Sequence, residues 1–142
     1  MATLNTTTAN GNQPRTAGSA GNTKTMYASY SLTAALALND VIDMFKVPAG
    51  ARITGVTLKT SDLDTGGSPA IVLDVGDSGD TDRLIDGATV GQAGGTSSAL
   101  VSSTGQFYQY TAETMISVLV QAAPATGATT GTVELSVTYI LP

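Results

Sequence analysis

Thr132-Val-Glu-Leu-Ser-Val-Thr-Tyr-Ile140 places Val133, Leu135, Val137 and Tyr139 on one parity and Thr132, Glu134, Ser136 and Thr138 on the other. Side chains of a strand alternate between the two faces of its sheet, so this run predicts a β-strand with one buried and one wetted face. Sheets with one face in water are antiparallel. Two further runs precede it: Met115-Ile-Ser-Val-Leu-Val-Gln121, and Gln106-Phe-Tyr-Gln-Tyr110 with its aromatic residues. Each is expected to be a strand. Arg83-Leu-Ile85 after an acidic turn, and Ala70-Ile-Val-Leu-Asp-Val75 bounded by Gly76, read the same way.

Closer to the N-terminus the pattern stays β. Ala51-Arg-Ile-Thr-Gly-Val-Thr-Leu-Lys59 carries Ile53 on one parity but Val56 and Leu58 on the other, so Gly55 is expected to mark a bulge that resets the register. Val47-Pro-Ala-Gly50 is a turn. Residues 32–45 also fit a helical period through Leu32, Leu36, Ile42 and Phe45. Asn39 and Asp40 would then sit mid-helix and compete for its backbone hydrogen bonds, and 42–47 alternates as strand faces do. Two strands with a turn, Met26–Leu32 and Val41–Val47, are the reading taken. About eight strands and no long helix result, with Gly-rich loops at 61–69 and 87–98. The expected fold is all-β over residues 26–142, an antiparallel β-sandwich or a jelly roll.

Residues 1–25 are almost wholly Thr, Asn, Gly, Ala and Ser, with Leu4 the one large apolar side chain after Met1. Such a segment cannot bury enough apolar surface to offset an ordering cost of about 1–2 kcal/mol per residue. It is expected to be an extended N-terminal arm that becomes ordered against other polypeptides.

Composition narrows function. The 142 residues contain no Cys and no His, which removes thiolate chemistry, disulfides, Cys-ligated metals and the commonest general base. Charged residues are 12% of the chain, against roughly 25% in an average soluble protein, so solubility rests on Thr, Ser, Asn and Gln. A net charge of −5 with scattered cations argues against nucleic acid and anionic lipid as partners. Apolar runs break well before the ~18 residues that a membrane span requires. Met1-Ala-Thr-Leu-Asn lacks the basic and apolar regions of a secretory signal, so synthesis in a cytoplasm is expected.

Few residues resemble a site. Asp74, Asp77, Asp80 and Asp82 lie on a Gly-bearing turn of the kind a hard cation favours, but their spacing departs from an EF-hand loop. Capping of backbone N–H groups, with Arg83 partly neutralising the cluster, is the stronger reading. Asp62 and Asp64 suggest a carboxylate pair, yet a Ser/Thr/Gly-flanked loop favours turn capping there too. No G-x-S-x-G elbow or Walker loop occurs, and no enzyme activity or cofactor is expected. Tyr27, Tyr30, Tyr108 and Tyr110 are candidates for core or subunit-interface positions. Phe107 falls on the opposite parity from Tyr108 and Tyr110, so one set should be core and the other exposed.

Three stretches carry a resemblance: Val47-Pro-Ala-Gly-Ala-Arg-Ile-Thr-Gly-Val56 onward, Asp62-Leu-Asp-Thr-Gly-Gly-Ser-Pro-Ala-Ile-Val-Leu-Asp-Val-Gly-Asp77, and Asp80-Thr-Asp-Arg-Leu-Ile-Asp-Gly87. With the ending Tyr110-Thr-Ala-Glu-Thr-Met-Ile-Ser-Val118 and the final strand, they resemble the decoration, or cement, proteins of tailed-phage capsids. That resemblance implies a jelly-roll-like fold, a place on the outer capsid surface, and no catalytic residues. It makes the major capsid protein and further copies of the chain, as a homotrimer, the expected partners. Leu4, Asn5, Thr7, Gln13, Arg15 and Lys24 of the arm are then the expected capsid contacts: Leu4 as apolar anchor, Arg15 and Lys24 toward carboxylates. The alternative is a head-fibre or tail module that binds host glycans through the aromatic strand and the loop from Gly87 to Ser98.

Overall fold

The computed structural model of the protein describes residues 22–142. Eight strands follow in chain order: β1 (Lys24–Ser31), β2 (Val41–Val47), β3 (Arg52–Thr60), β4 (Val72–Asp77), β5 (Asp80–Ala88), β6 (Gly95–Ser97), β7 (Thr114–Ala122) and β8 (Thr132–Ile140). They form two antiparallel four-stranded sheets, ordered β1-β8-β3-β6 and β2-β7-β4-β5. The first strand pairs with the last, the second with the seventh, the third with the sixth and the fourth with the fifth. A ribbon doubled back at the β4–β5 turn and rolled across two layers produces this order, which is a jelly roll.

The core lies between the sheets. Val133, Leu135, Val137 and Tyr139 of β8 all point into it, as their alternation requires. Ile53, Val56 and Leu58 of β3 join them because the register shifts between Ile53 and Gly55, at the expected bulge. β2 holds a second, unexpected bulge between Asp43 and Phe45. It turns both Ile42 and Phe45 inward, which breaks the simple alternation expected of 42–47. Leu73, Val75, Ile116, Val118 and Val120 complete the facing layer. Each such side chain contributes about 1.5–3 kcal/mol by leaving water.

Three expectations need correction. Gln106–Tyr110 is not a strand: it is a turn-rich segment held to the start of β3 by an isolated bridge, Arg52 to Gln109, and by the bond from Phe107 N–H to Ile53 O. The strand beside β3 on that edge is β6, Gly95-Thr-Ser97 from within the loop expected at 87–98, and it pairs with the other end of β3, at Leu58–Thr60. Lys24 and Thr25 belong to β1, paired with Tyr139 and Thr138, rather than to the arm.

The connections β1–β2, β3–β4, β5–β6 and β7–β8 gather at one end, here termed apical, where Leu63 N–H donates to Gly91 O and Thr65 N–H to Thr126 O. Those between β2–β3, β4–β5 and β6–β7 gather at the basal end, where Gly50 N–H donates to Tyr110 O.

Candidate assembly surface

Each end is tied by one buried aspartate. Asp64, 1% exposed, accepts from Ala70 N (2.6 Å), Ile71 N (3.1 Å) and Ala125 N (2.8 Å) through Oδ2, and from Thr126 N (2.8 Å) through Oδ1. Burial opposes its ionised form, but these four amides outweigh burial and hold its pKa far below the usual carboxylate range. Asp62 accepts from Asp64 N at 3.0 Å, the turn cap expected of it. Asp64 is more than a cap, because its donors come from two connections that are distant in sequence.

At the basal end Asp77 does the same work with side chains. It accepts from Gly79 N and Asp80 N, from Arg83 Nε at 2.6 Å, and from the Tyr110 hydroxyl at 2.9 Å. Burial pushes its pKa up, but Arg83, the amide donors and Tyr110 prevail and lower it. Burial first, then the Asp77 charge, raises the Tyr110 phenol well above its ordinary value. Arg83 also covers the Tyr108 ring at 4.0 Å, and Tyr108 meets Tyr110 edge-on at 4.9 Å.

Three of the four candidate cation ligands have partners of their own. Asp77 is engaged as described, Asp74 accepts from Gly87 N at 2.8 Å, and Asp80 lies 3.7 Å from Arg83. The neighbouring Asp82 raises the pKa of Asp80. Among the described residues no group of three or more His, Cys, Asp or Glu is arranged to hold a metal ion. The capping reading, with Arg83 neutralising the cluster, matches the geometry.

Exposed apolar side chains gather on one flank. β1 and β2 are edge strands of their sheets, and Tyr30, Leu38 and Val41 lie on or between them, all exposed. Val41 pairs with Leu119, and both line a groove of about 390 Å³ on the outer face of sheet two, with Asp43, Gly76, Met115 and Ser117. A hollow of about 350 Å³ continues it past Val41 to Tyr30 and Leu36. The outer face of sheet one is hydroxyl-rich instead: Thr25, Ser29, Thr57, Ser136 and Thr138 surround Tyr27, whose hydroxyl donates to Glu134 at 2.6 Å. Lys59 approaches Glu134 from the other side at 3.6 Å. The hydrogen bond raises the Tyr27 pKa and lowers that of Glu134.

Tyr27 and Tyr30 are exposed on β1, Tyr108 is partly buried, and Tyr110 is in the core of the sandwich, 3% exposed. Phe107 is exposed, so the division of the aromatics holds although no strand carries it. The aromatic strand face on which glycan binding depended does not form. Leu4, Asn5, Thr7, Gln13 and Arg15 lie outside the described residues, and Lys24 is exposed at the start of β1. Sequence reasoning missed the apolar flank: Leu38 and Val41 look like ordinary core residues until the Asn39 turn, at φ 67°, turns them outward.

No protein-family model matches the chain, and no curated protein matches it in sequence. Solved structures do. A chain from the capsid asymmetric unit of cyanophage Pam1 superposes with a TM-score of 0.81 at 38% identity, over 92% of both chains. A chain from the capsid of Ralstonia phage GP4 gives 0.78 and 33%, over 91% of this chain and 90% of that one. A chain from the acid-stable capsid of Helicobacter pylori bacteriophage KHP30 shares the fold, at TM-score 0.52 and 17% identity over 85% of this chain and 94% of that one. The strand order defines the class, an antiparallel jelly-roll protein. Within it, the chain belongs to the family of phage capsid-associated proteins that the Pam1 and GP4 chains represent.

Proposed function

We propose that this protein decorates the outer surface of a phage head, as a homotrimer that bridges subunits of the major capsid protein and so stabilises the shell. The observation that supports it is end-to-end kinship, at 33–38% identity, with chains of two phage capsids. The physical logic is linkage. A ligand that binds only the assembled shell must be lost before capsid subunits separate, so its binding free energy adds to the work of rupture. Three linked contacts raise avidity without any one being strong.

In this reading the arm grips the shell. Leu4 supplies an apolar anchor, Asn5, Thr7 and Gln13 bond through a mainly extended backbone, and Arg15 and Lys24 meet carboxylates. The β1–β2 flank, with Tyr30, Leu38 and Val41, is the surface for neighbouring copies. Tyr27 stands on the adjoining face.

Deleting residues 1–21, which stops short of β1, tests this. The truncated protein should keep the melting temperature and circular dichroism of the full chain and fail to occupy heads that lack the protein. Full occupancy by the truncated form would refute the arm's role. Quantitative mass spectrometry of virions should count hundreds of copies; a handful per particle would instead favour a fibre or tail component.

A further inference from the structure

Phe107 is held at φ 62°, in the left-handed region that a bulky side chain rarely adopts, and it is 60% exposed. Its backbone is pinned. Phe107 N–H donates to Ile53 O at 3.0 Å, and Ile53 N–H donates to Tyr108 O at 2.9 Å. Glycine or asparagine would take this conformation with less strain, and a polar residue would suit the exposure. A strained position that nonetheless presents an aromatic ring to solvent points to a contact made with another molecule.

The surroundings of Phe107 indicate which molecule. Ile53 pairs with Tyr139 of β8, and Tyr139 pairs with Lys24 on the other side. Arg52, half-buried, pairs with Ile140, and its Nη2 donates to Gln109 Oε1 at 2.8 Å, so the guanidinium is fixed on the same basal edge, with β8 between it and Lys24. Lys46, Lys59 and Arg83 each face a carboxylate. Lys24 and Arg52 have no carboxylate partner among the described residues, and both lie here. The first described strand, β1, also begins on this edge, at Lys24.

We infer that the basal edge of sheet one, along which Lys24, Arg52 and Phe107 are spread from β1 across to the far side of β3, is the face set against the shell: the ring enters an apolar recess of the capsid protein, and the two cations meet its carboxylates. This rests on the decoration reading and adds an orientation, with the apical loops turned outward. An acidic molecule whose described cations without a carboxylate partner both lie on one edge approaches an acidic surface by that edge.

The test uses heads lacking the protein and purified full-length variants, with bound copies counted across a titration. Phe107→Gly and Phe107→Asn suit the backbone, so each should melt within about 3 °C of wild type while head affinity falls about tenfold. Lys24→Glu should weaken binding and reduce its salt dependence. Thr129→Glu, exposed on the apical β7–β8 connection, should bind as wild type does. Wild-type affinity in both Phe107 variants would overturn the inference while leaving decoration intact. So would a loss confined to Thr129→Glu. Wild-type protein that never attaches to heads would remove the decoration reading itself, a result distinguishable from either.

Discussion

Asp64 keeps its charge with no cation beside it among the described residues, because four amides face it. A folded-state pKa below the unfolded value near 3.9 contributes stability that is complete above that value and is lost as the pH falls through the folded one. Asp77 has the same sign, so stability should drain below about pH 4. Asp64→Asn offers one oxygen and an NH₂ to four donors. Its melting temperature at pH 7 should fall on the order of 10 °C, with faster hydrogen exchange at Ala70, Ile71, Ala125 and Thr126. Asp74 has the opposite sign: burial chiefly, and the Asp86 charge, raise its pKa against the pull of Gly87 N–H. Its ionised form is a penalty at neutral pH that vanishes in acid. Asp74→Asn keeps the acceptor for Gly87, so it should melt about 3 °C higher at pH 7 and gain nothing at pH 3, by calorimetry at both pH values. Tyr110→Phe removes one donor from Asp77 and should cost about 1–2 kcal/mol in urea unfolding. The capping chemistry of these aspartates was legible in the Gly/Ser/Thr residues around them. Their rank was not, since the donors to Asp64 include Ala125 and Thr126, about sixty positions away.

The strands with strict alternation, β8 above all, were readable because period two has one physical solution when half the residues are apolar. The bulge at Gly55 was readable for the same reason: the parity of apolar residues changes there. The bulge beside Met44 was hidden, because an apolar residue at the insertion makes 42–47 look continuous. Gln106–Tyr110 misled through its aromatic content, although Phe107 adopts a conformation no strand contains. β6 was invisible because Gly95-Thr-Ser97 has no apolar residue to mark a face. Gly76 shows how closely β4 and β5 pack. A Cβ there would run into the backbone of Asp80 and Thr81 rather than into a movable side chain. Gly76→Ala should therefore destabilise by about 2–3 kcal/mol, read from the shift of the denaturant midpoint, and loosen the amides of the β4–β5 hairpin first.

At the scale of the molecule, a β-sandwich was legible from strand count, but the layer to which each strand belongs was not, because alternation does not reveal a strand's neighbour. The family was carried by turn and strand signatures, and the matches to two phage capsids agree with it. Thr25 and Thr138 report the topology directly: they pair across β1 and β8 with hydroxyl oxygens 3.5 Å apart. In a chain without cysteine, Thr25→Cys with Thr138→Cys has no wrong partner. The disulfide should form on oxidation and add about 2–4 kcal/mol, because it closes a long loop. Failure to cross-link would contradict the pairing of first strand with last. That pairing also constrains when the protein becomes usable. β8 lies between β1 and β3, so the sheet that begins with β1 cannot close until Ile140 has left the ribosome. At roughly 5–20 residues per second, a nascent chain spends several seconds or more with nothing to fold onto. A stalled or truncated translation product therefore presents no finished sandwich.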